Sequence, residues 1–121
     1  MRILVAPDKF AGTLTAVQAA EAIARGWRAT APRDGLDTAP LSDGGPGFVD
    51  VIHAALGGRL LAVQVSGPLG GRVPATVLMA GAAGDAGGAG AAGDAGAGTA
   101  YVEAAQACGL DLVPADRRDP G

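Results

Sequence analysis

Ile3-Leu4-Val5-Ala6-Pro7-Asp8-Lys9-Phe10-Ala11-Gly12-Thr13-Leu14-Thr15-Ala16-Val17-Gln18 is the stretch that sets the fold class. Ile3 to Ala6 is a continuous apolar run closed by Pro7, the pattern of a strand buried in a parallel sheet. Thr15 with Gln18 matches a capping box, a hydroxyl at the cap and a glutamine three residues on. Behind it Val17, Ala20, Ala24 and Trp27 share one helical face, with Glu21, Arg25 and Arg28 largely off it. Trp27 is therefore expected in the core. The helix should end near Pro32, because the residue before a proline leaves the helical region.

The same unit recurs. Leu36 to Leu41 is a second strand, weakened by Pro40, and Phe48 to Leu56 is a second helix, stopped by Gly57-Gly58. Strand–loop–helix twice over predicts an α/β fold, a Rossmann-like parallel sheet with right-handed crossovers. The loops Asp8–Thr13 and Ser42-Asp43-Gly44-Gly45-Pro46-Gly47 then lie at the carboxyl ends of the strands, where such sheets bind ligands.

Beyond Gly58 the pattern changes. Leu60–Ser66, Val73–Ala80 and Thr99–Ala104 are strand candidates, the first two joined by the turn Gly67-Pro68-Leu69-Gly70-Gly71. They predict an antiparallel meander attached to the α/β core. Gln106 to Leu110 is a short helical turn. Gly81 to Gly98 contains only Gly, Ala, Asp85 and Asp94, and the octet Ala-Gly-Ala-Ala-Gly-Asp-Ala-Gly occurs twice in 80–96. Nothing in it can pack, so it is expected to be a flexible surface insertion. A calcium-binding repeat would need a large apolar residue and more aspartates. The expected organisation is 1–58 for the α/β repeats, 59–113 for the meander with its insertion at 81–98, and 114–121 for a polar connection leading elsewhere.

Composition narrows the function. The chain has 121 residues and a formal net charge of -3, so a basic nucleic-acid footprint is missing. Its single cysteine, Cys108, can form no internal disulfide and is expected to be a small buried residue. The apolar start breaks at Asp8-Lys9, too short for a secretory signal, and no run is long enough to span a membrane. A cytoplasmic protein without membrane or nucleic-acid partners is the expectation.

The two loops hold most of the chemistry. Asp8 can bind Mg²⁺ or take a proton from a substrate hydroxyl, and Lys9 can neutralise charge on a transferring phosphoryl group. Both equally suit an ordinary solvated strand end. Gly44 and Gly45 let the backbone approach a ligand closely, and the helix starting near Phe48 adds partial positive charge. Asp43 would repel a bare phosphate, so it suits a metal or a sugar-acid hydroxyl; the alternative is a common turn with an aspartate at a helix start. No G-x-x-x-x-G-K-[ST] or G-x-G-x-x-G is present, so an ATP site would be of another type or lie elsewhere. His53, the only histidine, lies mid-helix without a triad or metal partner in view. Glu103 and Gln106 close the last strand and suit a site or a structural role alike.

Ala6-Pro7-Asp8-Lys9-Phe10, Gly12-Thr13-Leu14-Thr15-Ala16 and Leu41-Ser42-Asp43-Gly44-Gly45 resemble the opening of the bacterial glycerate kinase family. Ala55-Leu56-Gly57-Gly58, Val65–Gly70, Thr99–Gln106, Cys108-Gly109-Leu110 and Arg118-Asp119-Pro120 continue the resemblance in order. It covers nearly all of the chain except the Gly/Ala insertion, and only the opening part of the family's longer chain. The resemblance implies ATP-dependent phosphorylation of D-glycerate with Mg²⁺, in a cleft between two α/β domains. It assigns Asp8, Lys9 and Asp43 to catalysis, Asp43 also to the metal, and Ser42, Gly44 and Gly45 to substrate or phosphate. The family commonly has a lysine where Ala11 stands and Glu-Gly-Thr where Pro46-Gly47-Phe48 stands. The remainder of the kinase is expected from a missing C-terminal portion or from self-association. The alternatives are a nucleotide- or sugar-acid-binding module without catalysis, and an inactive or decayed fragment.

Overall fold

A computed structural model describes residues 1–81 and 98–118. The expected flexible insertion therefore lies outside the described residues except for Gly81 and Gly98, as do Asp119, Pro120 and Gly121 of the terminal connection. The chain forms two compact units, Met1–Asp43 and Gly44–Gly121.

The first unit is one strand–helix–strand element. Strand β1 (Arg2–Val5) pairs in parallel with β2 (Gly35–Thr38), in register from Arg2↔Gly35 to Val5↔Thr38. Between them runs α1 (Ala16–Thr30). Its capping box forms as expected: the Thr15 hydroxyl accepts from the Gln18 amide at 3.2 Å, and the Thr15 amide donates to Gln18 Oε1 at 3.0 Å. The helix closes at Ala31, ahead of Pro32, and β2 closes ahead of Pro40.

The buried stripe of α1 is Ala16, Ala19, Ala20 and Ala24. Small side chains at these positions let the helix backbone approach its neighbours closely. Trp27 departs from the expectation of a core residue, being 36% exposed. It stands in the last turn, and its indole nitrogen donates to Asp34 Oδ2 at 3.1 Å. A tryptophan whose N–H needs an acceptor settles where one end can stay polar. Asp34 also accepts from the Met1 amine at 2.9 Å. That amine first, and the indole second, hold the Asp34 carboxyl below its ordinary range.

The second unit opens with α2 (Phe48–Leu56), which coincides with the expected helix. It continues into an antiparallel sheet ordered β3 (Arg59–Ser66), β4 (Arg72–Ala80), β5 (Thr99–Val102). Arg59↔Met79 to Ser66↔Arg72 sets the first register, and Val77↔Val102 to Ala80↔Thr99 the second. Val49, Leu78 and Ala80 form the core, with Phe48, Ile52, Leu56 and Tyr101 packed against it. The Phe48 and Tyr101 rings meet tilted at 53° with centroids 6.5 Å apart, an arrangement aromatic pairs favour.

Two details explain the ends of these elements. Gly58 has φ +104, and a Cβ there would run into the Met79 carbonyl oxygen. Only glycine allows the chain to turn from α2 into β3 so close to β4. Pro74 sits inside β4, yet β5 reaches only Val77. The proline therefore occupies a stretch with one open side, where a missing donor is tolerated. Thr76, two residues on, would donate to that same side, and its amide is taken by Gln106 Oε1 at 2.6 Å. Gln106 lies in the short α3 (Ala105–Cys108), which the sequence places as a helical turn and which a 3₁₀ turn at Leu110–Leu112 extends. A second 3₁₀ turn spans Ala115–Arg117. Cys108 is exposed rather than buried, its thiol donating to the Ala104 carbonyl at 3.3 Å. A four-residue helix at the end of a sheet has no interior to offer it.

Candidate active site

The β1–β2 ladder continues past the regular strands. The Ala39 amide donates to the Val5 carbonyl at 2.8 Å, and the Leu41 amide to the Pro7 carbonyl at 2.9 Å. Each step advances both chains by two residues. One step further, Lys9 meets Asp43, with Nζ 3.3 Å from Oδ1. The parallel register thus joins the ends of the two loops that the sequence singles out. It does so through backbone bonds that specify no side chain.

Lys9 is largely covered, its side chain 26% exposed, whereas that of Asp43 is 65% exposed. An ion pair this open to water contributes little to stability, about 0–1 kcal/mol. Its interest is chemical: a cation and a carboxylate held together at the carboxyl ends of parallel strands. Asp8 is exposed, and its Oδ1 accepts the Lys9 amide at 2.6 Å, which restrains the carboxylate beside its own backbone. The loop then tightens. The Thr13 and Leu14 amides both donate to the Phe10 carbonyl, at 2.8 and 3.0 Å, and the Phe10 amide returns to the Leu14 carbonyl at 2.9 Å. Gly12, at φ +75, supplies the left-handed residue that this turn requires. Ser42, half-buried, precedes Asp43.

Gly44 and Gly45 belong to the second unit. Gly44 is exposed with φ +87, and the Gly45 carbonyl accepts the Phe48 amide at 3.1 Å. Gly47, the N-cap of α2, is left-handed at φ +95 and has no side chain to cap the helix. Glu103 does that instead. Its Oε2 accepts the Gly47 amide at 3.1 Å and the Val49 amide at 3.2 Å. At 5% exposed, it is the buried charged residue among the described residues. The sequence points to the start of α2 as a source of positive potential for a ligand; the Gly47 and Val49 amides are turned to Glu103. Half-buried His53 lies in α2, its carbonyl accepting the Gly57 amide at 2.8 Å as the helix ends. Among the described residues no group of three or more His, Cys, Asp or Glu gathers into a metal cluster.

Residues 3–121 match the model of the glycerate kinase family. The chain belongs to that family. It is 40% identical over 120 residues to the glycerate kinase of Bacillus subtilis, covering 99% of this chain and 28% of that one. It is 38% identical over 120 residues to the glycerate 2-kinase of Escherichia coli, with coverages of 99% and 28%. A crystal structure assigned to putative glycerate kinase 2 of Salmonella typhimurium LT2 superposes with a TM-score of 0.69 at 38% identity, over 99% of this chain and 29% of that chain. The chain thus spans about a quarter of the length of the curated relatives it matches, between 26% and 28% for the first of them.

Ala11 lies inside the Phe10–Leu14 turn, while nearby Lys9 reaches Asp43. Pro46-Gly47-Phe48 brings neither a hydroxyl nor a carboxylate to the entry of α2. The capping carboxylate comes instead from Glu103, 56 residues away from Gly47 in sequence. No local pattern pairs residues so far apart. The hint was compositional: a lone glutamate after an apolar strand, in a chain with a helix whose own cap is glycine.

Proposed function

We propose that this chain forms the N-terminal portion of a glycerate kinase that transfers a phosphoryl group from ATP to D-glycerate. The observation that carries the reading is the Lys9–Asp43 pair at the carboxyl ends of two parallel strands, in a chain of this family. Residues 1–58 would supply the α/β repeats, 59–113 the meander, and 114–121 the connection onward. A larger chain or self-association would complete the cleft.

Phosphoryl transfer depends mainly on positioning and on neutralising charge over the transferred group. Lys9 is suited to charge neutralisation, because its ammonium is restrained by Asp43 and can turn to an incoming phosphate. Asp43 can orient a glycerate hydroxyl, and Asp8 can accept the proton that hydroxyl loses. The backbone at Ser42, Gly44 and Gly45 would hold the carboxylate or a phosphate. Mg²⁺ takes hard oxygen donors and often needs only one or two carboxylates besides substrate phosphates. Asp43 and Asp8 fit in kind, with Asp43 the residue assigned to hold it. When bound, the metal supplies charge neutralisation for the phosphates. ATP use fits a cytoplasmic setting, and among the described residues no helix is long and apolar enough to cross a membrane.

The test is replacement of the matching region of the Bacillus subtilis glycerate kinase by these 121 residues, followed by detection of phosphoglycerate from ATP, Mg²⁺ and D-glycerate. Product from the hybrid, with its isomer identified, supports the reading. A folded hybrid that makes none overturns it. The chain alone, assayed in parallel, shows whether the cleft needs the rest.

A further inference from the structure

We propose that Glu103 is a positioning residue for the Gly44–Gly47 loop, holding it in its substrate-binding shape from behind; this rests on the kinase reading above. Three observations combine. Glu103 is 5% exposed, with one carboxylate oxygen shared between the Gly47 and Val49 amides. Gly47 is left-handed and Gly44 likewise has positive φ, so the loop, three of its four residues glycine, has little side-chain packing of its own to keep it in place. Glu103 itself is fixed at both ends: β5 pairs through Val102, and the Glu103 carbonyl accepts the Gln106 amide at 3.1 Å.

A carboxylate at this place does two things. It satisfies amides that the start of a helix leaves without partners, and it balances the helix's partial positive charge. The start of α2 is thereby closed to the substrate's carboxylate or phosphate. Glu103 touches no substrate in this arrangement; it acts through the loop.

The experiment uses the full chain, isotope-labelled, as wild type, Glu103→Gln and Glu103→Ala. Amide spectra of Gly44, Gly45 and Gly47 report the loop directly, and D-glycerate titration reports binding. Melting curves show that each variant is folded. Glu103→Ala is expected to shift and broaden the Gly44 and Gly45 amides and to weaken D-glycerate binding by about tenfold. Glu103→Gln keeps an acceptor oxygen and should recover most of both. Formate added to Glu103→Ala should restore the loop signals by filling the vacated place. Unchanged Gly44 and Gly45 amides in folded Glu103→Ala would overturn the proposal, as would wild-type affinity in that variant. If wild type alone does not bind D-glycerate, the titration is made in the Bacillus subtilis hybrid, where a folded hybrid without product overturns the kinase reading and the amide spectra alone decide the positioning role.

Discussion

A lysine and an aspartate from loops 34 residues apart in sequence meet at 3.3 Å, and single substitutions there separate chemistry from stability. In an intact family-length hybrid, Asp43→Asn is expected to lower turnover by about 100-fold or more. Its melting temperature should move little, because the pair is mostly solvated. Near-normal turnover would remove Asp43 from the mechanism. Asp34 behaves in the opposite way. Its carboxyl is held below the ordinary range by the Met1 amine and the Trp27 indole, so the unfolded chain binds the proton more readily than the folded one. The stabilisation is therefore present above the ordinary carboxylate pKa, about 4, and is lost as pH falls through the lower folded value. Wild type should be more stable than Asp34→Asn at pH 7, with the difference closing below about pH 4 in denaturant titrations. Gly58→Ala belongs to this scale too. It places a Cβ against the Met79 carbonyl at φ +104 and should cost about 1–3 kcal/mol.

Elements respond through their ends and their buried faces. Helices α1 and α2 are both capped by side chains, but in different ways. The cap of α1 is local, Thr15 and Gln18 exchanging hydrogen bonds. Thr15→Ala should cost about 1 kcal/mol, a drop in melting temperature of about 4–8 °C if the chain unfolds as a single unit. The cap of α2 arrives from the far end of β5, so it forms only once the sheet does. Leu78 is fully buried in the core beneath α2. Leu78→Ala should cost about 2–5 kcal/mol, and circular dichroism should show α2 and the sheet lost together. This division also explains what was legible. Helix limits followed from proline, glycine and apolar periodicity, since each is a local constraint, whereas β2 ends at Thr38 rather than at the expected Leu41 and β5 at Val102 rather than Ala104. Trp27 and Cys108 were misplaced because burial depends on what lies opposite, and neither helix end has a deep neighbour.

At the scale of the whole molecule, the meander raises a question of surface. Cross-strand partners share a face, so the register groups Leu61, Val63, Val65, Val73, Ala75 and Val77 on the side opposite to Leu78. They are only half-buried, and Val102 in the same row is 64% exposed. Apolar surface of this kind in a separate domain favours association. The 121-residue chain should bind a hydrophobic dye and sediment with concentration-dependent mass. Val102→Lys should reduce both, and a strictly monomeric, dye-silent chain would contradict the expectation.

The sequence by itself determined the α/β class, the limits of α2, the capping box of α1 and the glycerate kinase resemblance. These rest on contacts between residues a few positions apart, or on motifs read directly as residues. Tertiary structure alone decided that Lys9 meets Asp43 and that Glu103 closes the start of α2. Parallel pairing carries register between distant segments through the backbone, which is chemically alike at every residue. A buried carboxylate can also serve amides anywhere in the chain that the fold brings within 3.2 Å. Such partners are chosen by geometry, and geometry exists only after folding.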